Sequence, residues 1–308
     1  MGKDNTDFPA GTFGPNGQVL MSPFYMYLVS KGVAWTFVIL FSITCFLHVF
    51  QAVKYRMWFL FPTAVLACSG EILGWSGRLW SAYAPLNNNP YLMQIVATIL
   101  APTPYVATLF ILFSRITQKL GTHYSRLSPQ WYSRIFLTAD IVALVVQGAG
   151  GGIAATANTT SGTNLGGHIM LGGIIFQLIA LVVFMTIASE YFYRYITDRP
   201  LRNAEQGFGR VEWGRKMKVF TGALIFIAVM ILIRSIYRTA ELADGWTGRI
   251  ITTQIYFNLL DGMVVLLAIF TMNFFHPGHW MKTPQEDSTS PYYQKEMTAL
   301  RASSDSTV

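Results

Sequence analysis

The sequence predicts an all-α fold, a polytopic membrane protein with seven transmembrane helices. Seven apolar stretches divide the chain, and each can form a helix of about 20 residues, the length that crosses about 30 Å of hydrocarbon. Hydrophobic residues make up 52% of the chain and charged residues 12%, whereas a soluble domain carries roughly 25% charged residues. Lys and Arg, moreover, are frequent in every second loop and almost absent from the others.

The seven predicted helices follow one another with short polar connections. They cover residues 31–53, 58–80, 91–117, 135–155, 167–190, 217–241 and 252–275. No polar stretch is long enough to form a second globular domain. We therefore expect an extracellular segment over residues 1–30, a transmembrane domain over residues 31–276, and a polar, Ser-rich, disordered cytosolic tail over residues 277–308.

The loop charges predict the orientation of the chain in the membrane. The first loop carries Lys54 and Arg56, and the third and fifth loops are richer still in basic residues. The second and fourth loops contain no Lys or Arg, and the sixth has only Arg249. Because basic loops stay in the cytosol, the N-terminus is predicted outside and the C-terminus inside. Despite the net charge of +7, we expect these loops to contact anionic lipid headgroups rather than nucleic acid.

The fourth loop offers a modification site that agrees with this orientation. Asn158-Thr159-Thr160 is a sequon for N-glycosylation, and the charge pattern places it outside the cell. We therefore predict Asn158 as a glycosylation site. Cys45 and Cys68 both fall within predicted helices, so they are interpreted as packing residues rather than as an outer disulfide.

The second and sixth helices carry charged residues where a bilayer disfavours them. An ionisable side chain at the centre of a transmembrane helix costs about 2.5 kcal/mol or more. Glu71 and Arg78 lie seven residues apart on one face of the second helix, while Arg234, Arg238 and Glu241 form a stripe on the sixth. Counting from the basic ends of both helices puts these residues at a similar depth. We predict an ion-pair cluster between the two helices, hydrated from outside.

Two interpretations of this cluster remain open. The charged pairs fix helix packing, or they line a polar cavity in which arginines hold a phosphate or carboxylate headgroup. Asp261, near the middle of the seventh helix, is either paired with an arginine or a proton carrier. In the third helix, Pro102 and Pro104 predict a kink beside Tyr105, because proline removes backbone hydrogen bonds.

Other polar residues within the helices are interpreted as structural. Arg115 and Asp140 both lie toward the cytosolic side and are expected to pair. Gln147 precedes a run of glycines, which lets helices approach closely. His48 and His168 are isolated in the sequence. We predict no metal, no cofactor and no catalytic residue, because the sequence has no metal-ligand spacing, no Ser-His-Asp order and no nucleotide-binding motif.

Together these motifs resemble the fungal lipid-translocating exporter family, the RTA-like proteins associated with aminocholesterol resistance and sphingoid-base export. The similarity extends from the first predicted helix to His276. The matching elements are Glu71 with Gly74 and Arg78, Pro102, Tyr105, Arg115, Asp140 with Gln147, Arg234, Arg238, Glu241, Asp261 and His276-Pro277-Gly278. Trp75 stands where the family usually has tyrosine, so a hydroxyl is not expected at that position.

The resemblance implies a multi-pass plasma-membrane protein that exports amphipathic lipids or lipophilic toxins, such as sphingoid bases and sterol-like amines. It is not expected to be an enzyme. On this hypothesis the headgroup is held by Glu71, Arg78, Tyr105, Arg234, Arg238, Glu241 and Asp261. A seven-helix receptor or sensor is an alternative, because the N-terminus is predicted outside and the third cytosolic loop is large and basic. An intramembrane lipid-modifying enzyme, with Glu71, Asp140 or Asp261 as acid or base, is a further alternative.

Overall fold

A computed structural model describes residues 11–157, 159–201 and 213–281 of the chain. Within these ranges, seven helices are long and apolar enough to cross a membrane. They are α1 (Lys31–Lys54), α2 (Trp58–Tyr83), α3 (Asn88–Leu120), α4 (Pro129–Thr156), α5 (Thr160–Ile196), α6 (Arg215–Asp244) and α7 (Gln254–Trp280). The predicted all-α fold with seven membrane-spanning helices is therefore confirmed. Asn158, the predicted glycosylation site, lies outside the described residues.

Several helices extend beyond the apolar stretches that predicted them. α5 has 37 residues, which corresponds to about 55 Å at a rise of 1.5 Å per residue. Its apolar stretch, residues 167–190, is much shorter. α4 likewise begins at Pro129, ahead of its predicted start. Hydropathy locates the part of a helix that lies in hydrocarbon, whereas the backbone hydrogen bonds continue through the polar and aromatic turns on either side.

The loops richest in Lys and Arg lie at one end of the bundle, which we call the basic face. It includes residues 55–57 after α1, residues 121–128 after α3 and residues 197–201 after α5. Here the Glu190 carboxylate accepts hydrogen bonds from Arg126 at 2.6 and 2.8 Å and from Arg194 at 2.7 and 2.8 Å. These bonds tie the end of α5 to the loop after α3. The other end of the bundle is called the opposite face.

Three helices depart from regular α-helical hydrogen bonding. α2 starts with one 3₁₀ turn and one π turn over residues 58–65. α3 is interrupted at Ala101, ahead of Pro102, although Ala101 keeps helical backbone angles of φ −55° and ψ −45°. α7 contains a π-helical segment, Phe257–Met263. Such π-helical turns recur at functional sites, and the segment in α7 includes Asp261.

Glycines on α2 allow α3 to pack against it at short range. A Cβ atom on Gly74 would lie 2.4 Å from Thr98 Cγ2, and one on Gly70 would lie 2.7 Å from Ala101 Cβ. The interrupted part of α3 therefore contacts the turn of α2 that carries Glu71. This contact was not predicted, because close packing was expected at the glycine run that follows Gln147 in the fourth helix.

Between α4 and α5, the expected close packing occurs at some glycines and not at others. A Cβ atom on Gly150 would lie 2.6 Å from the backbone nitrogen of Met170 and 2.7 Å from the carbonyl oxygen of Gly166. Gly148 and Gly152 face open space instead. Only one side of the glycine run is therefore in contact with α5.

The packed part of the chain continues past residue 276, where the sequence analysis expects the tail to begin. Pro277 starts a last helical turn, Pro277–Trp280, and His276 caps it by accepting a hydrogen bond from the Gly278 N–H at 3.1 Å. Gly278 packs on Tyr55, since a Cβ atom at that position would lie 2.4 Å from Tyr55 Cγ. Met281 is buried. Proline does not end the structure here, because it is well suited to the first position of a new helical turn.

The glycine contacts predict different effects on stability for two substitutions that lie two residues apart on α4. Gly150→Ala is expected to destabilise the protein by about 1–3 kcal/mol, because the new methyl group meets the backbone of α5. Gly152→Ala should be neutral or slightly stabilising, because its methyl group meets nothing and alanine favours helix formation. Thermal unfolding of both purified variants in the same detergent measures the difference. Equal melting temperatures would contradict this packing.

Candidate functional site

A charged cluster, formed by Glu71, Arg234, Arg238, Glu241 and Asp261, lies buried between α2, α6 and α7. Arg238 donates to both carboxylate oxygens of Asp261, from Nε at 2.8 Å and from Nη2 at 2.6 Å. Arg234 Nε donates to the same carboxylate at 3.1 Å. Arg238 Nη1 also donates to Glu241, at 2.7 Å. Of the two interpretations of Asp261, the structure therefore supports pairing, and it supplies two arginines rather than one.

The interruption in α3 supplies further partners for the two guanidinium groups. Pro102 has no N–H, so the Thr98 carbonyl, four residues earlier, lacks its helical donor. Arg234 Nη2 donates to this carbonyl at 2.6 Å and to that of Ile99 at 3.1 Å. Arg238 Nη2 donates to the Thr98 hydroxyl at 2.8 Å. A carbonyl freed by proline inside the membrane thus becomes a ligand for a buried arginine.

Glu71 forms no hydrogen bond of normal geometry with any residue that the structure describes, although the Trp75 indole lies close enough to act on its carboxylate. Both of its carboxylate oxygens are buried and without a partner. Glu71 does lie within electrostatic range of Asp261, Arg234 and Arg238. The carboxylate of α2 was predicted to pair with the arginines of α6. Asp261 makes those pairs instead, because both guanidinium groups point to α7 and to the open turn of α3.

Arg78 is held by aromatic rings and neutral groups. Its guanidinium carbon lies 4.3 Å from the centre of the Phe257 ring. Three further ring centres lie within 5.7 Å, those of Tyr25, Tyr27 and Trp75. Arg78 donates to the Tyr27 hydroxyl at 2.9 Å and to Gln94 Oε1 at 3.4 Å. Cation–π contacts therefore take the place of the ion pairs that the sequence predicts for this residue, at least among the described residues.

Residues 22–29, which we call the covering segment, close the bundle at the opposite face. The Tyr25 hydroxyl donates to Gln94 Oε1 at 2.7 Å, and burial raises the pKa of Tyr25 to about 12, so this hydroxyl keeps its proton. Ser22 Oγ donates to the Pro85 carbonyl at 2.8 Å. The five residues of the charged cluster are at most 3% exposed. The charged cluster, predicted to be hydrated from outside, is therefore sealed in this conformation.

Comparison with known proteins identifies the family of this chain. Residues 64–284 match the family model described as "RTA1 like protein". The chain belongs to the RTA1-like protein family. It is 30% identical over 275 residues to the sphingoid long-chain base transporter RSB1 of Saccharomyces cerevisiae strain JAY291, across 80% of this chain and 71% of that protein. No solved structure matches.

Two further relatives come from Saccharomyces cerevisiae. Protein RTM1 is 29% identical over 202 residues, which cover 65% of this chain and 62% of that protein. Protein RTA1 is 27% identical over 213 residues, which cover 68% of this chain and 64% of that protein. The resemblance to RTA-like proteins that the motifs predicted is therefore confirmed.

Two residues of the RTA1-like motifs bond outside the charged cluster. Tyr105 donates its hydroxyl to the Ala268 carbonyl at 2.8 Å, which joins α3 to α7. Gln147 Nε2 donates to Gln177 Oε1 at 2.9 Å, which joins α4 to α5. The Tyr105 hydroxyl, predicted to contact substrate, is thus engaged within the protein in this conformation.

The predicted pair of Arg115 and Asp140 is not formed. The Arg115 guanidinium lies 4.3 Å from the centre of the Phe59 ring at the start of α2. Asp140 is buried, and its Oδ2 atom has no hydrogen-bond partner. The prediction rested on a shared depth in the membrane. Depth does not determine the side of the bundle to which each residue points, and here the two side chains have different neighbours.

Sequence analysis missed a second polar group, which lies between α1 and α7. This α1–α7 seam consists of Thr44, His48, Gln51, Asn273 and His276. His48 Nε2 lies 3.2 Å from the Ile269 carbonyl, and Gln51 Nε2 donates to the Asn273 carbonyl at 2.8 Å. The Asn273 amide donates to the Thr44 hydroxyl. The spacing in the sequence could have revealed this group. Residues 44, 48 and 51 form one stripe along α1, and residues 269, 273 and 276 form one stripe along α7.

An apolar cavity lies between α3, α5 and α6. Its volume is about 400 Å³, within the range of about 300–1,000 Å³ that is typical of ligand pockets. Aliphatic and aromatic side chains form most of its wall, among them Leu109, Phe113, Phe184, Phe192, Leu224 and Ala228. α3 and α6 therefore line this cavity, which is closer to the basic face, and they also contact each other at the charged cluster.

The unequal bonding of the two carboxylates predicts unequal effects on stability. Asp261→Asn is expected to destabilise the protein by about 3–5 kcal/mol, because it leaves buried arginines without their shared carboxylate. Glu71→Gln, a change of the same size, should leave stability near the wild-type value, because Glu71 makes no hydrogen bond. Thermal unfolding of the two variants in one detergent measures this. A Glu71→Gln protein as unstable as Asp261→Asn would show that Glu71 is paired in the folded protein.

Proposed function

We propose that this RTA1-like protein translocates amphipathic amines, such as sphingoid bases, across a membrane. Lipid transport in general is supported by the seven membrane-spanning helices and by the family of the chain. It is also supported by the relative RSB1, which is named a sphingoid long-chain base transporter. Selectivity for amines is proposed because one face of α2 carries buried polar atoms that have no hydrogen-bond partner. The buried polar atoms without a partner on this α2 face are Glu71 Oε1 and Oε2, Trp75 Nε1 and Arg78 Nε.

The α2 face has the complementary chemistry for an amino alcohol. Residues 71, 75 and 78 are spaced i, i+4 and i+7, so they form one stripe along the helix. An ionised carboxylate only accepts hydrogen bonds, and a primary ammonium only donates them. Glu71 would therefore hold the ammonium group. The Trp75 and Arg78 N–H groups would donate to hydroxyl oxygens of the same headgroup.

The bonding of the other arginines argues against an anionic headgroup. The guanidinium groups of Arg234 and Arg238 already donate to Asp261 and to the open turn of α3. A phosphate or carboxylate would have to displace Asp261 and leave that carboxylate unpaired, at a cost of several kcal/mol. An ammonium group at Glu71 displaces nothing and supplies the donors that this carboxylate lacks.

The alkyl chain of the substrate would lie in the apolar cavity. On α6, the cavity residue Ala228 precedes the charged Arg234 by six residues, about 9 Å along the helix. A long-chain amine is long enough to place its headgroup at the α2 face and its chain toward the basic face. Release at the opposite face then requires the covering segment to move, because residues 22–29 close that side.

The proposal includes the position of the protein in the cell. We place the N-terminus outside and the C-terminus in the cytosol of a plasma-membrane protein, with the basic loops against anionic lipid headgroups, on the basis of the loop charges. The chemistry proposed is binding and movement rather than an enzymatic reaction. Of the three carboxylates considered as acid or base, Asp261 is paired with two arginines. Glu71 and Asp140 keep unpaired oxygens, and the proposal assigns Glu71 to the ammonium group of the substrate.

Transport measurements on a matched pair of α2 variants test the proposal. In liposomes that contain the purified protein, Glu71→Gln is expected to lower the rate of transfer of a fluorescent sphingoid base about tenfold or more, because a hydrogen bond to a charged group is worth about 1.5–3 kcal/mol. Leu73→Ala, on the exposed side of the same helix, should keep the wild-type rate.

Three outcomes would count against the proposal. If folded wild-type protein gives no protein-dependent transfer of the amine, the translocation proposal fails. If Glu71→Gln transfers it at the wild-type rate, the protein is a translocator whose headgroup site is not the α2 face. Transfer of an alkyl phosphate at the same rate as the amine would also contradict the selectivity argued above.

A further inference from the structure

The α1–α7 seam contains a second set of buried polar atoms without partners. They are His48 Nδ1, Gln51 Oε1, Asn273 Oδ1 and His276 Nε2. The two histidines and Asn273 are buried, with His48 fully so. These residues do not contribute to the charged cluster or to the α2 face. The inference drawn from them therefore does not rest on the proposed transport of amines.

Bonds to the backbone fix the hydrogen-bonding role of three of these atoms. His48 Nε2 faces the Ile269 carbonyl, so it carries the proton and leaves Nδ1 as an acceptor. His276 Nδ1 accepts from the Gly278 N–H, so its proton is on Nε2, which is a donor. Gln51 Nε2 donates to the Asn273 carbonyl, so Gln51 Oε1 is an acceptor.

The seam therefore lacks hydrogen-bond donors. The single N–H of His276 can satisfy one of the two fixed acceptors, His48 Nδ1 and Gln51 Oε1. Asn273 Oδ1 adds a third acceptor. A buried polar group without a partner costs about 1–3 kcal/mol, and the hydrocarbon around the bundle supplies no donor. Water has two donors and can bridge such groups, as buried waters commonly do.

We propose that the α1–α7 seam binds water and accepts a proton, and that His48 is the proton acceptor. A hydronium ion that reaches the seam gives its proton to the Nδ1 lone pair of His48. One O–H bond breaks, one N–H bond forms, and a water molecule remains. The resulting imidazolium donates from Nε2 to the Ile269 carbonyl, as before, and from Nδ1 to the acceptors that lacked a donor.

The tautomer of His276 argues against a metal ion as the ligand. A histidine binds a metal through an unprotonated nitrogen. Nε2 of His276 would have to lose its proton to Nδ1, and the Gly278 N–H would then lose its acceptor. Water and a proton leave the bond between His276 and Gly278 in place. Among the described residues, moreover, no group of three His, Cys, Asp or Glu side chains could hold a metal.

The electrostatic surroundings of the seam are simple. Within the described ranges, neither imidazole forms an ion pair with a carboxylate, and His48 acts electrostatically on His276. Both rings are buried, which disfavours a charge on either of them. The Tyr55 ring stacks on His276, with the ring centres 4.9 Å apart. The Lys54 ammonium lies 5.6 Å from the centre of the Tyr55 ring. Since no carboxylate holds a charge on either imidazole, the two histidines should accept at most one proton between them.

Nuclear magnetic resonance of the full chain tests the inference without a transport assay. The protein is labelled with ¹⁵N at histidine, placed in lipid nanodiscs and measured across the pH range in which imidazoles titrate. The signals lost in His48→Gln and in His276→Asn assign the two rings. Both changes keep the backbone bond of the native residue, since glutamine retains a donor for the Ile269 carbonyl and asparagine is a favoured N-cap for the Gly278 N–H.

We expect magnetisation transfer between water and both rings, and a His48 titration midpoint that shifts in His276→Asn. His168→Asn is the matched control, because His168 lies on the exposed surface of α5 near the opposite face. It should change neither signal. A His48 ring that stays neutral across the whole pH range, or two rings that show no contact with water, would overturn the inference. An unchanged His48 midpoint in His276→Asn would also count against it, because it would show independent imidazoles.

Discussion

The carboxylate of Asp261 is the contact on which the buried part of this protein depends. Two arginines of α6 share it, at 2.6 to 3.1 Å, and loss of this counter-charge would cost several kcal/mol. The π-helical segment of α7 contains this carboxylate, and the open turn before Pro102 supplies the remaining acceptors. Irregular backbone in α3 and α7 is therefore part of the arrangement that keeps two buried charges satisfied.

Polar groups in the core are of two kinds, and the difference separates structural from functional candidates. Arg234, Arg238 and Asp261 use most of their hydrogen-bonding capacity within the protein. The α2 face and the α1–α7 seam keep unused capacity, although their atoms are equally buried. In a membrane the unused groups cannot turn to bulk water, so they are where a ligand, a water molecule or a proton lowers the free energy.

Much of the fold and part of the site could be predicted from sequence, for physical reasons that differ between residues. Hydropathy is a local property, so it located the seven spans, and the cost of charge in hydrocarbon drew attention to Glu71, Arg234 and Asp261. Pairing depends on which helix faces point at each other. This is why the pair of Arg115 with Asp140 was wrong, and why the contact of His48 with the end of α7 was missed.

Selectivity for an amine, on the proposed function, follows from how the arginines are bonded. A membrane presents any translocator with phosphate headgroups in large excess over free amines, so a site with available guanidinium groups would fill with phospholipid. Pairing Arg234 and Arg238 with Asp261 removes that attraction, and among the nitrogen atoms of Arg78 only Nε is without a hydrogen-bond partner in the described part of the chain. The acidic group left without a hydrogen bond in the charged cluster is then Glu71, whose carboxylate, once ionised, would attract an ammonium group and repel a phosphate. Specificity of this kind comes from excluding the abundant competitor as much as from binding the substrate.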